Sequence, residues 1–362
     1  MPIFDQGYQH WSGELSGHAW RWLAVARHGI RVSMSNRLLR IVLLLSWLPA
    51  ASFAGALCVW GLLEQKSSLI APLLPLLTFL NPAILANPQS FRIEIWTLAF
   101  HYFLSIELWF SMVLIVLVGP NLISRDLRYN ALPLYFSRPL RRSDYFFGKL
   151  GVIVGILSLV TIVPSLLAYI FGLLFSLDLS IVRDTFGILL AGVTYGLLIS
   201  VSAGLFVLAL SSMSRNSRYI ALLWIGIWLV GGSVSGLLNT IEQQQRSREI
   251  RRQTMRGYNE YGMVEYDEQT RFEQEMEFAR SNWRPLVSYT ANLSRIEHQL
   301  LDTDASWKKL CGLLPPGARE RVLREYLGPQ YPWQWSAGVL LGLFGLSVWI
   351  LNRSVKSLDR LK

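Results

Sequence analysis

Along the chain the hydrophobic positions gather into six long runs, at residues 41–63, 95–118, 150–175, 185–210, 219–238 and 335–351. A helix rises 1.5 Å per residue, so about 20 apolar residues cross a hydrocarbon core about 30 Å thick. The pattern therefore predicts six transmembrane helices. A further apolar stretch at 69–86 carries Pro72, Pro75 and Pro82, each of which removes a helix hydrogen bond where lipid offers no replacement. That stretch predicts a re-entrant or surface-lying segment instead of a seventh span.

The polar positions divide the rest. Ahead of the first run, WRWLAVARHGIRVSMSNRLLR puts Trp20, Leu23, Ile30 and Met34 on one side of a helix, interrupted by Arg27, and Arg21, His28 and Arg31 on the other. This predicts an interfacial helix against anionic headgroups; the alternative is a plain extension of the first span. Between the fifth and sixth runs, 239–334 is the one sizeable polar region. It predicts two helices over Ile241–Arg280, broken at Gly257 and Gly262, a shorter helix with Leu293, Ile296 and Leu300, a breaker LLPPG at 313–317, and a helix over Ala318–Leu327. Trp333 and Trp335 then read as interface anchors for the last span. The expected fold is an all-α polytopic membrane protein: residues 1–40 with the interfacial helix, 41–238 with spans one to five, 239–334 as a helical extracytoplasmic insertion capping the outer face, and 335–362 with span six and a basic tail.

Composition agrees, with 52% hydrophobic and 16% charged residues in 362. The net charge of +10 does not point to nucleic acid, because no basic patch interleaved with aromatics sits on a soluble domain. It reports orientation. With the N-terminus inside, the inner segments 1–40, 119–149, 211–218 and 352–362 hold 17 Lys and Arg against 5 Asp and Glu. The long 239–334 segment carries 14 of each sign, and long loops are largely exempt from the positive-inside rule. Both termini are thus expected in the cytoplasm of a cell that holds the chain in its inner or plasma membrane. The first residues lack the cationic head and apolar centre of a cleavable signal, so the first span is expected to double as the insertion signal. Cys58 and Cys311 offer no disulfide framework or metal cluster and read as packing residues.

Candidate chemistry is sparse. Gly148-Lys149 hints at a phosphate loop, but Ser143 stands where that motif needs Gly and Leu150 where it needs Ser or Thr. Segment 239–334 contains His298 but no paired carboxylates, HExxH or nucleophile elbow. No catalytic residue, metal site or cofactor is expected in this chain. Within the second span, His101 and Glu107 are ionisable residues where burial costs several kcal/mol without water or a partner. Six residues apart, they do not share a helix face. Glu107 either faces a polar cavity, pairs with another chain or contacts a transported molecule. Gly192 with Gly196 and Gly232 with Gly236 have helix-packing spacing, read as contacts inside one subunit, and Pro164 marks a kink in the third span.

The richest stretch is GPNLISRDLRYNALPLYFSRPLRRSDYFFGKL, residues 119–150. Leu132, Leu134, Tyr135 and Phe136 form an apolar patch; Arg125, Asp126, Arg128, Arg138, Arg141, Arg142, Asp144 and Lys149 surround it. A loop that only sets topology needs the cations but has no use for an exposed Leu-Tyr-Phe cluster, whereas a docking element needs an anchor and a charged rim. Ser124, Arg125, Asp126, Asn130, Leu132, Ser137, Arg138, Pro139, Arg142, Asp144, Tyr145, Gly148 and Lys149 resemble the motif of the ABC-2 type exporter permeases. The likeness extends over the membrane part, from about residue 20 to 238 and from 335 on.

The resemblance implies that the loop between spans two and three is a coupling helix seated in a cleft of a separate ABC ATPase, which binds ATP-Mg. Pro139 and Tyr145 join the residues above as expected coupling contacts, with Leu134, Tyr135 and Phe136 in the cleft and Arg138, Arg141 and Arg142 at its rim. It also implies a second permease copy or paralogue, surrounding lipids, and transport by alternating access. Family members commonly have a short loop with re-entrant helices where this chain has 239–334, and that departure leaves room for an extracytoplasmic protein partner. Two competing readings use that segment: a membrane enzyme, or a non-transporting scaffold.

Overall fold

A computed structural model describes residues 20–77, 81–136, 140–176, 180–256, 281–315, 319 and 330–356. Among the described residues the regular structure is helical throughout, without strands. In chain order the α-helices are α1 (Arg21–Met34), α2 (Arg37–Glu64), α3 (Pro82–Ala86), α4 (Arg92–Arg128), α5 (Leu132–Phe136), α6 (Arg142–Ser158), α7 (Ile162–Ser176), α8 (Ser180–Met213), α9 (Ser217–Ile225), α10 (Gly231–Arg256), α11 (Tyr289–Leu301), α12 (Thr303–Cys311) and α13 (Trp333–Lys356). Six helical stretches are long and apolar enough to cross a membrane: Arg37–Glu64, Pro88–Arg128, Arg142–Ser176, Ser180–Met213, Ser217–Glu242 and Trp333–Ser354. Each contains one of the six hydrophobic runs. The proline-rich stretch instead forms a 3-10 helix, Ser68–Leu77, and the short α3.

Local chemistry sets the boundaries. Asn36 caps α2 by accepting the Leu38 N–H at 3.0 Å, and Asn216 caps α9 by accepting that of Arg218 at 3.1 Å. The third span divides at Leu159–Thr161, so Pro164 falls in the first turn of α7, where amide donors are orphaned anyway. In the fifth span, Gly226–Val230 between α9 and α10 is a π-helical turn.

Packing follows the small residues. α4 and α8 run parallel in steady register: Gly192 sits against Phe100, Gly119 against Val207, and Ser211 donates to the Pro120 carbonyl at 3.0 Å. α2 runs antiparallel to α4, with Phe53 stacked on Phe103 at 4.6 Å. Gly172 brings α7 onto the ring of Trp96. Gly196 meets Thr161 and Ile162 of its own chain, so the Gly192–Gly196 pair packs inside one subunit, while a side chain at Gly236 would meet nothing within 4 Å. Trp96, Phe100, Leu104 and Met112 lie fully buried at the centre; aromatic rings bury the largest apolar area per residue.

Of the expected apolar side of the amphipathic helix, Ile30 and Met34 pack against the core while Trp20 and Leu23 are exposed. α1 lies on α6 through Trp22, Val25, Ala26, Gly29 and Ile30, facing Gly148, Gly151, Val152 and Gly155. Gly148, Gly151 and Gly155 of α6, with Gly29 of α1, permit this approach.

The segment after span five also departs from expectation. α10 continues that span without a break as far as Arg256, in place of a separate helix starting near Ile241; residues 257–280 and the expected helix at 318–327, save Arg319, lie outside the described residues. α11 lies alongside the apolar stretches instead of beyond their ends. Its first residue, Tyr289, shares a 2.8 Å hydrogen bond with Ser202 and contacts the rings of Phe206 and Trp224, and Trp224 donates to the Met112 carbonyl. Further on, Glu297 reaches His101, and Lys309 of α12 reaches Glu94. The chain thus climbs along α4 from the level of Met112 to that of Glu94, 18 residues or about 27 Å.

Candidate functional site

The 119–149 connection is built from the end of α4. There the Ala131 N–H returns to the Asp126 carbonyl at 2.9 Å, and Asn130 adopts φ 51°, a left-handed conformation that Asn tolerates better than other side chains with a Cβ. This reverses the chain directly into α5. Asp144 accepts the Arg141 N–H at 3.1 Å at the start of α6, an N-terminal position that favours negative charge.

One node ties the three helices together. The Asp126 carboxylate accepts from the Tyr145 hydroxyl at 2.7 Å and pairs with Lys149 Nζ at 2.6 Å. Lys149 also lies over the rings of Tyr135 and Tyr145, at 5.7 and 5.3 Å, and those rings meet edge to face at 5.3 Å. Cation–π contact and an ion pair therefore converge on one ammonium. With side-chain exposures of 11% for Lys149 and 15% for Asp126, the pair is largely shielded from water. α5 thus meets the start of α6 through Tyr135, and the reversal at Asn130 joins it to the end of α4.

The expected coupling residues sort into two groups. Asp126, Tyr135 and Tyr145 turn inward; Tyr145 is 1% exposed, so it serves the clamp and not an outer rim. Tyr135, expected in a partner's cleft, rests partly on its own chain. Arg125, Arg128, Arg141 and Arg142 are exposed on the same connection. Arg138 and Pro139 lie outside the described residues, as do the side chains of Leu134 and Phe136, whose backbone belongs to α5. Lys149, expected only among the charges around the apolar patch and in the motif, proves to be the centre of the node; its place seven residues into an apolar helix, one turn beyond Tyr145, was the available signal.

His101 and Glu107 diverge, as their spacing requires. His101 Nδ1 meets Glu297 Oε1 at 2.9 Å, its ring lies 4.8 Å from that of His298, and His298 Nδ1 meets Thr303 at 2.6 Å. Glu107 is fully buried, and neither of its carboxylate oxygens has a hydrogen-bond partner in the structure. No group of three or more His, Cys, Asp or Glu suited to a metal ion occurs among the described residues.

At the other end of the bundle Arg92 joins three spans. It pairs with Glu64 at 2.9 Å and Asp184 at 3.1 Å and donates to Ser180 at 2.9 Å, while Trp60 donates to Glu64 at 2.7 Å. Sequence reading passed over this cluster because its members stand 28 and 92 positions apart.

Compared with protein-family models and with curated proteins, the chain finds no match in either. What the fold defines is a helical protein with six helices able to span a membrane.

Proposed function

We propose that this chain is the permease subunit of an ATP-driven exporter, coupled through residues 119–149 to a separate ATPase. The observation that carries the reading is the Asp126–Tyr145–Lys149 node, which joins the ends of α4 and α6, holds α5 through Tyr135 and lies beside exposed arginines. A topology signal needs the cations but not the clamp. In this reading α5 and the arginines beside it, at the end of α4 and the start of α6, face the cytoplasm, ATP-driven closure of the partner moves α5, and α4 and α6 pass the movement to the pathway. To shift the membrane arrangement decisively, ATP must favour one state by several kcal/mol, about 5.5 for a full reversal from 1:99 to 99:1. α11 then enters the membrane from the outer side, as re-entrant helices do where protein buries them.

The test is detergent extraction of the tagged chain from its native membrane, followed by mass spectrometry and an ATPase assay. The reading expects a Walker-motif protein with the wild type and its loss when Arg128, Arg141 and Arg142 are all changed to Glu. Retention of that partner by the triple variant, or its absence from the wild-type preparation, overturns the reading.

A further inference from the structure

A groove of about 470 Å³ opens between α4, the fifth span and the start of α11, within the range of small-molecule sites. Two tryptophans form part of its wall, Trp109 of α4 and Trp228 of the fifth span, their rings edge to face at 5.3 Å. Around them stand the hydroxyls of Ser105, Ser233, Ser288, Thr290 and Ser294. Among the described residues, no charged side chain lines the groove.

Three further observations mark it as more than a gap between helices. The π-helical turn at Gly226–Val230 falls on the residues that supply Trp228 and Leu229, and such turns inside α-helices often occur at functional sites. Gly232 leaves the groove open where a larger residue would fill it: a Cβ there would first meet Ser288 Oγ, at 3.9 Å. Ser105, on the wall, stands beside Glu297, whose carboxylate is paired with His101 at 2.9 Å. That glutamate is fully buried, and its Oε2 has no hydrogen-bond partner. The groove thus presents indole faces for a tail or ring, hydroxyls for a polar head, and a carboxylate one side chain deeper.

We infer that the groove binds the head of an amphiphile that donates hydrogen bonds and carries no negative charge. Indoles and hydroxyls accept sugar-like or ammonium heads. An anionic head would find no cation to pair with among the lining residues and would be an unpaired charge in a weakly polar site. The inference rests on the permease reading for its role in transport, but binding itself does not need the ATPase.

The test uses the full chain in nanodiscs with Cys58 and Cys311 changed to Ser and Val230→Cys, beside the groove, labelled with an environment-sensitive fluorophore. Three probes share one eight-carbon tail: octyl glucoside, octylammonium and octyl phosphate. The inference expects a saturable response to the glucoside or the ammonium at concentrations at least tenfold below those needed for the phosphate. Which of the two binds tells a neutral head from a cationic one. Trp109→Ala and the groove-filling Ser294→Phe are both expected to weaken that response at least tenfold, and the unfolding midpoint of each shows whether it is folded. Equal response to all three heads, no saturable response to any, or full binding by both folded variants overturns it. ATPase copurification, measured in parallel, is expected to be unchanged in these variants; its outcome judges the permease reading separately.

Discussion

Replacing Lys149 with Met probes the node from its centre. The substitution keeps most of the side chain's apolar volume but leaves Asp126 without its cation, in a site where the two side chains are only 15% and 11% exposed. Breaking a buried pair by removing one partner costs about 3–5 kcal/mol. Here the Tyr145 hydroxyl still donates to Asp126, which puts the expected loss at the lower end, about 3 kcal/mol. Asp126→Asn keeps an acceptor for Tyr145 and leaves Lys149 over two rings, so about 2 kcal/mol is expected. Once the ammonium is gone, the carboxylate has nothing to neutralise, and the double variant is expected to cost no more than Lys149→Met alone. That makes a coupling energy of about 2 kcal/mol, roughly thirtyfold in an equilibrium constant. The assay is equilibrium unfolding of all four proteins in mixed micelles. Additivity within about 0.5 kcal/mol would refute the claim that these side chains act as one clamp.

Other contacts give independent tests by the same unfolding assay. Arg92→Met strands Glu64, whose side chain is 2% exposed, and is expected to cost about 3–5 kcal/mol; a companion Glu64→Gln is expected to restore part of it. Gly172→Ala places a methyl 2.6 Å from Trp96, a rigid and fully buried ring, and is expected to cost about 1–3 kcal/mol. Gly187→Ala, with nothing within 4 Å, is expected to stabilise by up to about 1 kcal/mol through helix propensity. Asn130→Val forces a β-branched residue to φ 51° and is expected to cost about 1–2 kcal/mol, whereas Asn130→Gly is expected to be neutral.

The spans were legible because crossing lipid demands length and apolarity together, and each run from 41–63 to 335–351 supplies both. The placement of α11 was not. At 13 residues, with Glu297 and His298 among Leu293, Ile296 and Leu300, it has the amphipathic signature of a surface helix. Only the partners that satisfy its polar groups, His101 and Ser202, explain its position among the spans, and they lie 196 and 87 residues away. In the candidate site, residue types were legible but directions were not. The charge and apolar pattern singled out Asp126 and Tyr135, and the motif resemblance Tyr145, without showing that they face one another, because the reversal at Asn130 decides that. Glu107 stood out through the cost of a carboxylate in an apolar run, and the structure leaves it buried without a hydrogen-bond partner.

The most direct test of the coupling proposal is photo-crosslinking in the native membrane from benzoylphenylalanine at Arg141, with Trp335, near the start of α13, as the control position. The proposal predicts a crosslink from position 141 to a protein with Walker motifs, lost with Lys149→Met while the chain stays folded, and none from position 335. A product at 141 that contains no nucleotide-binding protein, or the same product from both positions, contradicts it.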